Sequence, residues 1–235
     1  MRQITTTIFI LMLGMVYGQE FVYPSIVTQG KNINSFVPDG WKLLDSAKGD
    51  LNKDNHDDIA LIIQHKDSVS LVVKEFGENE TVITQPRVLI ILFYNPTKNN
   101  YFLKEKSNSF ILNDDNSNMD DPYEDISINK GVLKIDFHIF MNMGGWGMSS
   151  NIYKFRYQKN EFVLIGADCF STNRGSGATE DTSYNFLTNK VKVSTGSIES
   201  DEEKVLWRTL KIKKLKTFKT FTKPFTWEIE KDIFL

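Results

Sequence analysis

Apolar residues along most of this chain recur at every second position. Between Val132 and Met141, residues Leu133, Ile135, Phe137, Ile139 and Met141 share one parity, while Val132, Lys134, Asp136, His138 and Phe140 occupy the other. That pattern predicts a strand with one wholly apolar face and one mixed face. The preceding Asn129-Lys130-Gly131 marks a hairpin turn. A second hairpin is expected where Tyr153, Phe155 and Tyr157 alternate with Ile152, Lys154 and Arg156, turn at Gln158-Lys159-Asn160, and continue into Phe162 to Ala167. A third is expected about Thr188-Asn189-Lys190, between Tyr184–Leu187 and Val191–Val193. Earlier strands are Ile59 to Gln64 and Val88 to Tyr94, the latter closed by Asn95-Pro96. Ser68 to Phe76 reads as a further strand in preference to a short helix, and Ser200-Asp201-Glu202-Glu203 reads as the opening of a helical turn. All six prolines fall outside the apolar runs, as strands require. The expected class is all-β, with antiparallel hairpins forming a sandwich or incomplete propeller-like sheets.

The N-terminus departs from this period. Arg2 precedes an almost unbroken apolar run from Ile8 to Tyr17, and Val16 and Gly18 are small enough for a cleavage site. Residues 1–18 therefore read as a secretory signal peptide, with Gln19 the first mature residue and the product periplasmic or extracellular. The apolar run is shorter than the about 20 residues a membrane-spanning helix needs, so no transmembrane segment is expected after cleavage. Residues 19–235 are expected to form a single β-rich domain, with the polar stretch 113–125 as a lobe boundary if there are two halves. With 28 basic and 30 acidic residues, the chain lacks the basic excess of a nucleic-acid binder. Cys169 is the sole cysteine, which excludes an internal disulfide; its apolar surroundings predict burial.

The segment with the most specific spacing is Gly49-Asp50-Leu51-Asn52-Lys53-Asp54-Asn55-His56-Asp57-Asp58, which runs directly into Ile59-Ala60-Leu61-Ile62-Ile63. Counting Asp50 as position one, Asn52, Asp54, His56 and Asp58 fall at positions three, five, seven and nine. Oxygen ligands at alternate positions suit a hard cation, and Ca2+ above all, which takes about six to eight oxygens in irregular geometry. His56 would contribute its backbone carbonyl. Asn55 stands where the turn needs a left-handed residue, and asparagine tolerates that conformation. Position twelve is Leu61 where an EF-hand carries glutamate, and a β-type run follows in place of a helix.

On Gly49, Asp50, Asn52, Asp54, Asp58 and the strand that follows, the segment resembles the calcium loop of FG-GAP/VCBS-type repeats of integrin-like propellers. It occurs once, which counts against a multi-bladed propeller. More broadly, Phe36-Val37-Pro38-Asp39-Gly40-Trp41, the loop, and hairpins such as Tyr153–Tyr157 with Phe162–Gly166 resemble a group of secreted β-rich proteins of Gram-negative bacteria. That resemblance implies export and a β fold, and no activity.

Other clusters each carry two readings. Asp114, Asp115, Asp120, Asp121, Glu124 and Asp125 read as a solvated loop, or as the paired carboxylates of a hydrolase, which stand about 5 to 9.5 Å apart on a rigid frame. Met141 to Ser150 holds three methionines and Trp146; it reads as a loop capping the core, or as a platform for a sugar or peptide, or as a thioether metal site. Asn173 to Glu180 reads as a long hairpin loop in which Arg174 is a ligand contact. Lysines from Lys204 to Lys223 protect exposed strands or meet an anionic surface. His138 and Cys169 form the one conceivable thiol–imidazole pair. The expected function is a secreted non-catalytic protein, calcium-stabilised, acting as a glycan- or protein-binding module. The alternatives are a carboxylate-dependent secreted hydrolase and a structural accessory subunit that partners an envelope protein.

Overall fold

The computed structural model describes residues 21–75 and 78–235. The expected signal peptide lies outside them. In chain order the strands are β1 (Gln29–Gly30), β2 (Trp41–Gly49), β3 (Asp58–His65), β4 (Val69–Glu75), β5 (Glu78–Thr84), β6 (Arg87–Asn95), β7 (Asn100–Ser107), β8 (Tyr123–Asn129) and β9 (Val132–Phe140). They continue as β10 (Gly147–Gln158), β11 (Glu161–Asn173), β12 (Ala178–Asn185), β13 (Lys190–Ser197), β14 (Ser200–Thr209), β15 (Glu228–Glu230) and β16 (Ile233–Phe234). A five-stranded sheet has the order β1-β7-β6-β3-β2, and β8 to β14 form a seven-stranded antiparallel meander. Among the described residues β4 and β5 pair only with each other, as do β15 and β16. The all-β expectation holds, in its sandwich form.

The meander follows from local sequence. Lys130 and Gly131 both have positive φ (50° and 73°), as do Lys159 and Asn160 (50° and 68°). Two-residue turns with both central residues left-handed match the natural twist of antiparallel strands. Leu133, Ile135, Phe137, Tyr153 and Phe155 are fully buried on the inner face, as the period-two pattern requires.

β3 and β6 lack this alternation because both of their faces are covered. Ala60, Ile62, Leu89, Ile91 and Phe93 pack toward the large sheet, joining the core that contains Phe137, Tyr153 and Phe155. Ile59, Leu61, Ile63, Val88, Ile90 and Leu92 form a second core with Phe36 and Trp41, against which Phe21, Tyr23 and Ile26 pack. A continuous apolar run is the signature of a strand buried on both sides.

Residues 108–122 cross from the small sheet to the large one. Phe110 and Ile111 in this crossing are buried in the main core. Asp121 forms a two-point ion pair with Arg87, which is 2% exposed. The expectation of a wholly solvated acidic loop is therefore corrected at Asp121: a buried guanidinium requires a counter-charge.

Two further local expectations change and one holds. Ser200–Glu203 begins β14 and not a helical turn, because pairing with β13 overrides a local capping signal. The strand expected over Ser68–Phe76 is found as β4, Val69–Glu75. The connection after Asn173 is a short turn, with β12 starting at Ala178.

Candidate functional site

The Asp-rich loop joins β2 to β3 at the junction of the two sheets. Gly49 lies so close to Ile128 of β8 that a Cβ there would stand 2.7 Å from its side chain. Leu51 is buried in the main core. Lys53 and Asn55 both adopt φ of 67°, in keeping with the left-handed residue expected at Asn55.

The carboxylates organise the loop's own backbone. Asp50 accepts hydrogen bonds from the amides of Lys53 (2.6 Å), Asp54 (3.1 Å) and Asn55 (2.9 Å). Asn52 Oδ1 accepts from the Asp54 amide, and its Nδ2 donates to Asp54 Oδ2, each at 3.0 Å. Asp54 Oδ1 accepts from the His56 amide at 2.9 Å, and His56 Nδ1 lies 3.1 Å from the Asp54 carbonyl oxygen. Asp58 is completely buried and accepts from Leu51 (2.9 Å), Asn52 (3.2 Å) and, across the sheet, Tyr94 (3.0 Å). Burial pushes the Asp58 carboxyl up to about 6, outweighing those three amides; the Asp54 charge adds to the rise. At Asp54 partial burial acts upward too, but Asn52 and His56 hold the group below the usual carboxylate range.

These residues test the fit of a cation. Among the described residues no three His, Cys, Asp or Glu side chains are grouped as metal ligands. The Asn52 side chain turns its amide nitrogen toward Asp54 Oδ2 and its oxygen toward the Asp54 amide. In this arrangement the loop is closed by hydrogen bonds from its own amides.

Trp146 and Arg174 come together at the far end of the large sheet. Trp146 ends the β9–β10 loop and Arg174 begins the β11–β12 turn. Arg174 donates from Nη2 to the carbonyls of Met141 (2.7 Å) and Gly145 (2.5 Å), and its guanidinium lies 4.3 Å from the Phe140 ring centroid. Its backbone amide donates to the Trp146 carbonyl at 2.7 Å. Arg174 thus serves as a clamp between the loops. Asn118 adds a second tie, accepting from the Met143 amide at 2.8 Å and donating to its carbonyl at 2.7 Å.

The loop does not cap the core: Trp146 is 69% exposed and Met143 also faces solvent. One side of the indole rests on Gly175, where a Cβ would meet the ring at 3.1 Å. A shallow cleft of about 350 Å³ beside it is lined by Asn142, Gly144, Gly145, Trp146 and Arg174.

The remaining candidates separate. Asp120 reaches the cleft's border through a 3.0 Å bond from Asn142 Nδ2, while Asp121 is committed to Arg87. No carboxylate lines the cleft. Cys169 pairs across the sheet with Asn151, and His138 with Ser150, so the two point to opposite faces. Cys169 is half-buried against the core, and burial, with the charges of Asp168 and Asp181, pushes its thiol up to about 12. The Arg87–Asp121 pair and the Asn118 tie carry no sequence motif; their partners meet only in the folded chain. Comparison with protein-family models, curated proteins and solved structures found no match to this chain.

Proposed function

We propose that this protein is an exported, non-catalytic glycan-binding module that uses Trp146 as its stacking platform. The observation that carries this reading is the exposed indole, whose ring packs on Gly175 while Arg174 ties the backbone on either side of it. A rigid aromatic with one free face offers contact area at small entropic cost. Asn142 beside it supplies an amide for hydroxyl groups. The hydrolase alternative is weaker, because no carboxylate pair lines the cleft.

The test is calorimetric titration of the protein with a panel of oligosaccharides. Wild type is expected to bind at least one saturably, Trp146→Ala to lose that binding, and Arg174→Lys to weaken it, since lysine cannot hold both carbonyls in the guanidinium's fork. Absence of saccharide binding across the panel would reject the reading.

A calcium-stabilised loop is a second reading, supported by three carboxylates and one amide at alternate positions from Asp50 to Asp58. It requires the Asn52 side chain to turn its oxygen inward. Thermal unfolding with calcium and with chelator decides it: ligand bound to the folded state alone raises the midpoint, and Asp54→Ala removes that rise. An unchanged wild-type midpoint dismisses the ion.

A further inference from the structure

We propose that β14 is a self-association edge through which two copies of this chain pair antiparallel. β14 is the outermost strand of the large sheet, and Ser200 through Trp207 are all exposed. The opposite end of that sheet is different: β8 lies against β2, with Ile128 in contact range of Gly49. A long free edge presents unpaired amides and carbonyls that another strand can complete.

Three features single out a second copy as the occupant. First, apolar side chains are exposed on both faces: Val205 (50%) and Trp207 (64%) on one, Leu206 (59%) on the other. Pairing with a strand of the same composition covers both faces at once. Second, charge is divided along the strand. Asp201, Glu202 and Glu203 precede the apolar triplet and Arg208 follows it. Antiparallel pairing sets the acidic half of each copy against the basic end of the other.

Third, one register satisfies the charges. A two-fold axis normal to the sheet must pass through a residue, because opposed side chains share a face. With Val205 on the axis, Lys204 stands opposite Leu206 of the second copy, and the acidic residues 201–203, where β14 bulges against β13, lie toward its Arg208. Moving the axis to Leu206 opposes Lys204 to Arg208; moving it to Lys204 opposes that lysine to itself. Like charges directly opposite are destabilising. Arg208 keeps its internal bond to Glu230 (2.5 Å) while its side chain remains about one-third exposed. The pairing joins two seven-stranded sheets into one.

Sedimentation velocity on the purified chain, from about 1 to 100 µM, tests this. Wild type is expected to show a concentration-dependent dimer. Val205→Lys, which puts two ammonium groups on the axis, is expected to weaken it about tenfold or more. Glu202→Arg and Arg208→Glu are each expected to be monomeric alone and to form a mixed dimer when combined, because the charges at 202 and 208 become complementary again. Circular dichroism checks that each variant is folded. A wild type that stays monomeric, a Val205→Lys dimer of unchanged strength, or failure of the two folded charge variants to associate when mixed overturns the proposal.

Discussion

Removing the carboxylate of Asp121 tests the role of the crossing segment between the sheets. Among the described residues Arg87 is the largest fully buried side chain, and its guanidinium is held by Asp121 at 2.7 and 2.5 Å and by the Leu112 carbonyl at 2.8 Å. Asp121→Ala leaves that cation buried and unpaired. Breaking a buried pair from one side costs about 3–5 kcal/mol. The Asp121 side chain is 43% exposed, however, so water compensates part of the loss. The expected cost is about 2–3 kcal/mol. For a chain of this length that lowers the thermal midpoint by about 4–12 °C. Replacing both partners, Arg87→Met with Asp121→Leu, removes the stranded charge and is expected to lie within about 1–2 kcal/mol of wild type. The assay is urea unfolding of wild type, both single variants and the double variant. Burial alone would raise the Asp121 carboxyl, but Arg87 and the Tyr123 amide hold it below 3.8. The pair's contribution is therefore complete above about pH 4 and is lost as pH falls through the lower folded value. A cost below about 0.5 kcal/mol for Asp121→Ala at pH 7 would mean that Arg87 is hydrated, and would refute the reasoning.

Asp58 gives the opposite pH dependence. Its folded carboxyl is near 6 against an ordinary 3.8, so the folded state holds the proton more tightly between those values. The stability of wild type relative to Asp58→Asn is expected to fall by up to about 3 kcal/mol as pH rises from 3.5 to 7 in chelator; a flat difference in urea unfolding would contradict this. Asp58→Ala at neutral pH, which strands the buried Leu51 amide, is expected to cost about 2–4 kcal/mol by the same assay. Cys169, with its thiol near 12, is expected to react slowly with a disulfide reagent at pH 8 in the native protein and rapidly in denaturant; equal rates would show that the thiol is accessible.

The large sheet was legible because its strands have one dry face and one wet face. The pattern Leu133, Ile135, Phe137 names the inner face directly, and the residues at 130–131 and 159–160 mark the turns. β3 and β6 were legible as strands, but a run such as Ile59–Ile63 has no polar face to state what covers it. Its second cover comes from Phe21 to Phe36, a stretch with no long element and no apolar period. β14 misled because Ser200-Asp201-Glu202-Glu203 has the composition of a helix start; its pairing with β13 is a tertiary fact. Asp121 was visible as an acid, yet its partner lies 34 residues away without local signal. At the candidate site, Trp146 and Arg174 stood out by type and loop context. That one holds the other in place depends on carbonyl positions that sequence does not display.

The most direct test of the binding account is fluorine NMR of protein labelled with 5-fluorotryptophan. Four indole resonances are expected from the four tryptophans, and Trp146→Phe assigns the one from the cleft. On titration with a saccharide that binds in calorimetry, the Trp146 resonance is expected to shift saturably while those of Trp41, Trp207 and Trp227 stay in place. A saturable shift at any of those three with Trp146 unmoved would contradict the account.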